Sequence, residues 1–112
     1  MLFLLSAMAC GDRAGGLQAA GFEGTWQDEG GGIAVIELRG RQPVVTRMVD
    51  YDEEVFEVVS SDYEAGQVTW VYVVPSTQYE VTVETTSLEG GLLCTTWANQ
   101  FDSGSECYTR LE

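Results

Sequence analysis

The chain has 112 residues, 18 of them acidic and five basic, with a formal net charge of −13 and no histidine. A surface this acidic repels nucleic acid and anionic headgroups, which excludes both and leaves cations and basic proteins as electrostatic partners. Hydrophobic residues make up 45%, too many for disorder, and the length allows one domain with a single core.

All the basic residues are Arg. Without an imidazole there is no Ser-His-Asp triad, no His-paired cysteine nucleophile and no common zinc site. Without Lys there is no Schiff-base amine. The chain therefore reads as no enzyme, with no cofactor.

The first nine residues are uncharged and run through Leu2-Phe3-Leu4-Leu5 to Ala9, followed by Cys10-Gly11-Asp12. This junction resembles the end of a bacterial lipoprotein signal peptide, in which the cysteine becomes the lipid-bearing first residue. The resemblance implies a signal peptide over residues 1–9 and a membrane anchor through a lipid on Cys10. A basic n-region is missing, and Ala7 stands where that pattern prefers Leu, so the natural start is expected upstream of Met1. Residues 10–21, rich in glycine, read as a tether. Gly11, in place of a retention aspartate, favours the outer over the inner membrane of the cell envelope.

Three cysteines are odd for an exported chain. With Cys10 lipidated, Cys94 and Cys107 remain as a pair for a disulfide in an oxidising compartment.

From Gly24 onward the pattern is of short strands between turn signals. Strands are predicted at Gly24–Gln27, Ile33–Arg39, Val44–Asp50, Glu54–Ser61, Gln67–Val74, Tyr79–Ser87, Leu92–Ala98 and Glu106–Leu111. No apolar stretch has a sustained helical period. In Tyr79–Ser87, Tyr79, Val81 and Val83 face one way and Glu80, Thr82 and Glu84 the other, the pattern of a half-buried strand. Val68, Trp70, Tyr72 and Val74 alternate with Thr69, Val71 and Val73, so both faces are apolar and a central or covered strand is expected. A Cys94–Cys107 pairing sets Ala98 opposite Ser103 and the turn at Asn99-Gln100-Phe101-Asp102. The domain of residues 22–112 is thus all-β, a small antiparallel barrel or sandwich.

Gly21-Phe22-Glu23-Gly24-Thr25-Trp26 resembles the Gly-x-Trp entry of lipocalin-like proteins. Arg110, in Cys107-Tyr108-Thr109-Arg110-Leu111, matches the last-strand Arg that packs over that Trp. The resemblance implies an up-and-down β-barrel of about eight strands with a Trp26–Arg110 stack at its floor. The Thr-Asp-Tyr motif of typical lipocalins is absent. Gly24-Thr25-Trp26-Gln27-Asp28 is also similar to avidins, but their polar biotin-binding set has no counterpart here.

Eight strands leave room for packed side chains or one small ligand, and short strands favour the filled form. If a pocket exists, Phe56, Trp70, Tyr72 and Tyr79 are the candidates to line it for a small apolar ligand. Asp50, Asp52, Glu53 and Glu54 form the densest acidic cluster. They lack calcium-loop spacing and read as a solvated turn, so no metal site is expected. Paired carboxylates capable of catalysis are conceivable among 18 acids, but nothing in the sequence singles out a buried Glu. Ser76 has no base to activate it. The expected function is a non-enzymatic binding module, with a basic protein partner at the acidic loops as the alternative.

Overall fold

The structure, a computed structural model, describes residues 19–111. The leader, Cys10 and most of the expected tether lie outside the described residues. Eight strands follow in order: β1 Gly24–Asp28, β2 Ile33–Arg39, β3 Gln42–Val49, β4 Val55–Glu64, β5 Gln67–Val74, β6 Tyr79–Glu89, β7 Leu92–Ala98 and β8 Ser103–Leu111. Each pairs antiparallel with the next, and β8 returns to β1 to close a barrel in simple next-neighbour order. The all-β class anticipated from the turn spacing is realised, and so is the up-and-down barrel that the lipocalin resemblance implies.

The meander places alternate turns at opposite ends, and the two ends differ. Gly40-Arg41, Ala65-Gly66 and Gly90-Gly91 join β2–β3, β4–β5 and β6–β7, all six residues at positive φ. That is the two-residue hairpin geometry whose twist matches the strands. At the other end the connections are longer, spanning residues 29–32, 50–54, 75–78 and 99–102. One end is drawn tight and the other carries loops.

Register shifts admit Thr46, Val59 and Thr86 as extra residues on β3, β4 and β6. Such bulges bend and twist strands, as closure of a small barrel requires. Thr46 Oγ1 donates to Val35 O and Thr86 Oγ1 to Cys94 O, so two bulged residues bond back to the facing strand. After the β6 bulge Leu88 pairs with Leu93 and joins the core. Strands β3 and β4 pair directly only through Met48–Phe56 and Val49–Val55. Below that point Val45 N donates to Ser61 Oγ at 2.9 Å, a side chain standing in for a ladder carbonyl.

Inward positions of all eight strands supply the core, with Trp26, Ala34, Val68, Trp70 and Leu93 wholly buried. Buried Thr85 donates its hydroxyl to Val68 O at 2.8 Å, and Thr95 bonds Glu106 O. Among the described residues no buried side-chain polar atom lacks a partner, as a core this small demands.

Three expectations change. Residues 19–22 form one helical turn with Ala19 and Phe22 buried, so the packed unit takes in residues assigned to the tether. Four residues are too few to show a period. Second, β8 begins at Ser103 and not Glu106. Third, of the two readings of β5 the central one holds, and no element among the described residues covers it. In a closed barrel every strand has two neighbours, and Val71 and Val73 are half-buried between side chains of β4 and β6.

The Cys94–Cys107 disulfide is present between directly opposed residues, with Ala98 facing Ser103 across the Asn99–Asp102 turn. It lies on the outer wall, because Leu93, Thr95 and Tyr108 take the inward positions.

Candidate ligand site at the open end

The tight end is sealed. Arg110 Cζ lies 4.4 Å from the centroid of the Trp26 ring. Its guanidinium donates to Gly21 O at 2.6 Å and to Glu23 O, while Trp26 Nε1 donates to Phe22 O at 2.9 Å. Phe22 also meets Tyr63 edge-on at 6.0 Å. Gly24 has φ +148°, and a Cβ there would overlap the guanidinium. The Gly-x-Trp spacing thus has a physical reason: glycine admits the cation that stacks on the indole two residues later. A groove of about 630 Å³ lies outside this end. Arg110 is the one charged side chain among its lining residues and is already bonded to the backbone.

The opposite end opens into two lobes of about 210 and 230 Å³, which share Tyr72, Glu106 and Tyr108. One reaches between Val83, Thr95 and Trp97, and the other between Asp28, Met48 and Phe56. Phe56 and Tyr72 stack face to face, centroids 4.9 Å apart and planes 3° from parallel. Tyr79 stands at the rim, its ring 5.1 Å from that of Phe101. Of the four candidate pocket residues, Phe56, Tyr72 and Tyr79 line the lobes. Trp70 does not: it lies deeper on β5, fully buried, with its indole N–H on Met48 Sδ at 3.0 Å. The barrel is filled at the sealed end and hollow at the mouth.

Trp97 owes its position to Gly104, directly opposite on β8. A Cβ at Gly104 would come within 2.8 Å of the indole ring. Gly104→Ala is expected to push Trp97 out of the mouth and cost about 1–3 kcal/mol. A blue or red shift in tryptophan emission with a lowered denaturation midpoint checks it; unchanged emission would refute the contact.

Asp28 and Glu106 enter the mouth by strand parity. Asp28 shares the inward face of β1 with Trp26, and Glu106 that of β8 with Tyr108 and Arg110. Both carboxyl groups line the same lobe, close enough for the charge of one to act on the other. Burial, then the charge and hydrogen bond of Asp28, then the charge of Glu29, push the Glu106 carboxyl up to about 7. Burial, then the charges of Glu106 and Asp28, push the Tyr72 phenol up to about 12. Tyr108 is raised by burial and then by Glu106, Tyr72 and Asp28. Asp28 Oδ1 accepts from Gly32 N at 2.8 Å, which fixes its carboxylate. No arginine lines either lobe. The sequence reading missed this pair, although extending the alternation backward from Arg110 and forward from Trp26 would have found it.

Because the folded Glu106 value lies above the ordinary 4.5, the folded state holds its proton more tightly than the unfolded chain. Stability is therefore expected to fall as pH rises from about 4.5 through 7. With the mouth open to solvent the loss is about 1 kcal/mol. Glu106→Gln should remove that dependence, read as the difference in melting temperature between pH 5 and 8.

The acidic loop at residues 50–54 is a turn whose carboxylates bond its own backbone and a neighbour. Asp50 Oδ1 accepts from Asp52 N and Glu54 N, both at 3.0 Å. Glu54 accepts from Ser76 N and Ser76 Oγ, tying this turn to that of residues 75–78. Ser76 thus bonds across loops, while Thr77 Oγ1 accepts locally from Tyr79 N. Asp50, Asp52 and Glu54 each bring one oxygen within 4.8 Å of the others, and the hydrogen-bond from Asp52 lowers Asp50 while raising Asp52.

Fold and site together define a small antiparallel barrel, sealed at one end and open at the other, consistent with a lipocalin-like fold. Comparison with family models, curated proteins and solved structures finds no match.

Proposed function

We propose that this chain is a lipocalin-like binding module of the bacterial cell envelope, not an enzyme, and that it takes up a small, largely apolar molecule at its mouth. The observation that carries this reading is an aromatic-walled hollow at one end of a barrel otherwise filled with side chains. Concave sites with mostly apolar walls and a few polar groups are where proteins bind small molecules. The absence of His and Lys supports a non-enzymatic role. Lipidation of Cys10 would anchor the module, in the outer membrane more than the inner. With Cys94 bonded to Cys107, Cys10 is the remaining cysteine.

Native mass spectrometry of protein isolated under mild conditions tests the binding. A retained small molecule is expected, and apo protein alone would overturn the reading. For the anchor, a labelled fatty acid should appear on Cys10 of the full-length protein, and its absence would refute lipidation.

A second reading rests on the rim, where Tyr51 and Phe101 are 76% and 69% exposed beside carboxylate-bearing loops. Exposed aromatics among acids suit a basic protein partner. Such a complex should weaken steeply with salt; insensitivity to salt would refute it.

A further inference from the structure

We propose that the mouth selects an organic cation, a small primary amine whose ammonium sits at the Asp28 and Glu106 carboxyl groups and whose apolar body lies along Phe56, Tyr72 and Trp97. This inference rests on the binding reading above and names its ligand class.

Two inward-facing carboxyl groups share one end of the barrel, and the described arginines are all elsewhere. Arg39 bonds exposed Glu37, Arg41 is in a tight-end turn, Arg47 is exposed on β3, and Arg110 is spent on Trp26. Like carboxyl groups that line one lobe favour either a retained proton or a bound cation. An ammonium donates three hydrogen bonds, enough to serve both. The walls agree, because the rings of Phe56, Tyr72 and Trp97 line the lobes and offer aromatic surface to an apolar body. Glu29 and the Asp50–Asp52–Glu54 loop add negative potential at the same end, which draws cations inward. A fatty acid would bring a third carboxylate to the pair. Each lobe is also below the roughly 300 Å³ at which drug-sized pockets begin, so the ligand is compact.

Proton linkage follows. Glu106 is faced by Asp28 from β1, Glu29 and Asp50 from the turns, Tyr72 from β5, Thr95 and Trp97 from β7, and Tyr108 on its own strand. Its ionisable neighbours are acids like itself, so an ammonium that pairs with both carboxylates displaces the proton to solvent. Amine affinity therefore rises as pH increases through about 7.

Calorimetry on the full chain tests this with three probes: phenethylamine, its neutral isostere 2-phenylethanol, and decanoate. At pH 8 the amine should bind at least about tenfold more tightly than the alcohol, and the advantage should shrink at pH 5.5. Near pH 7 its binding heat should vary with buffer ionisation enthalpy, reporting proton release. Glu106→Gln and Asp28→Asn should each weaken the amine about tenfold and the alcohol by clearly less, so that the amine's advantage over the alcohol shrinks. An alcohol that binds as tightly as the amine, or amine affinity untouched by Glu106→Gln, overturns the inference. Alcohol or decanoate binding without amine preference refutes this inference alone. Failure of all three probes to bind refutes the binding reading with it.

Discussion

Replacing Trp26 by Ala is expected to destabilise the barrel by about 3–5 kcal/mol, a large part of the roughly 5–15 kcal/mol that holds a small domain folded. The indole is wholly buried at the sealed end, and its loss removes more than volume. Its N–H holds Phe22 O, which fixes the helical turn, and its ring carries the Arg110 guanidinium. With the ring gone, Arg110 keeps its carbonyl partners but faces a cavity. Trp26→Phe should fall between wild type and Ala, because it restores ring area without the N–H donor. Chemical denaturation monitored by circular dichroism measures both. A cost below about 1 kcal/mol for Trp26→Ala would mean that the sealed end adds little to stability.

Removing the disulfide, as Cys94→Ser with Cys107→Ser, is expected to cost about 3 kcal/mol, the loop entropy released for a sequence separation of 13. The double variant should melt well below the wild type and match wild-type protein measured in reductant. The cross-link sits on the outer wall between neighbouring strands, so the mouth should be preserved where the variant stays folded. A thiol assay on unreduced, denatured protein provides the check: reactive Cys94 or Cys107 would show that the bond is not formed.

Much of this fold was legible because the chain punctuates itself. Gly40-Arg41, Glu64-Ala65-Gly66 and Glu89-Gly90-Gly91 mark the tight turns, and β2, β5 and β7 occupy the ranges predicted between the turn signals. The last hairpin was readable to the residue, since one cross-strand pair determines every other pair between two strands. The start of β8 was not, because Ser103-Gly104-Ser105 has no apolar alternation. Those residues are strand because Trp97 lies over Gly104, a contact made by the facing strand and invisible locally.

The site divides along the same line. Phe56, Tyr72 and Tyr79 were readable as inward aromatics, but position along the barrel decides between core and mouth. Trp70 is only two residues from Tyr72, yet it lies below the hollow. Asp28 and Glu106 are 78 residues apart in a chain of 18 acids. Alternation counted from Trp26 and Arg110 turns each of them inward, but they meet because closure of β8 on β1 brings those faces together.

The proposed binding places small molecules at the mouth of the barrel. The three tryptophans mark three depths: Trp97 at the mouth, Trp70 beneath it and Trp26 at the sealed end. Their indole N–H signals in a ¹⁵N–¹H spectrum, followed as 2-phenylethanol or phenethylamine is added, test the claim directly. The Trp97 signal should move most and that of Trp26 should stay in place. A shift led by Trp26, or no shift at millimolar ligand, would contradict binding at the mouth.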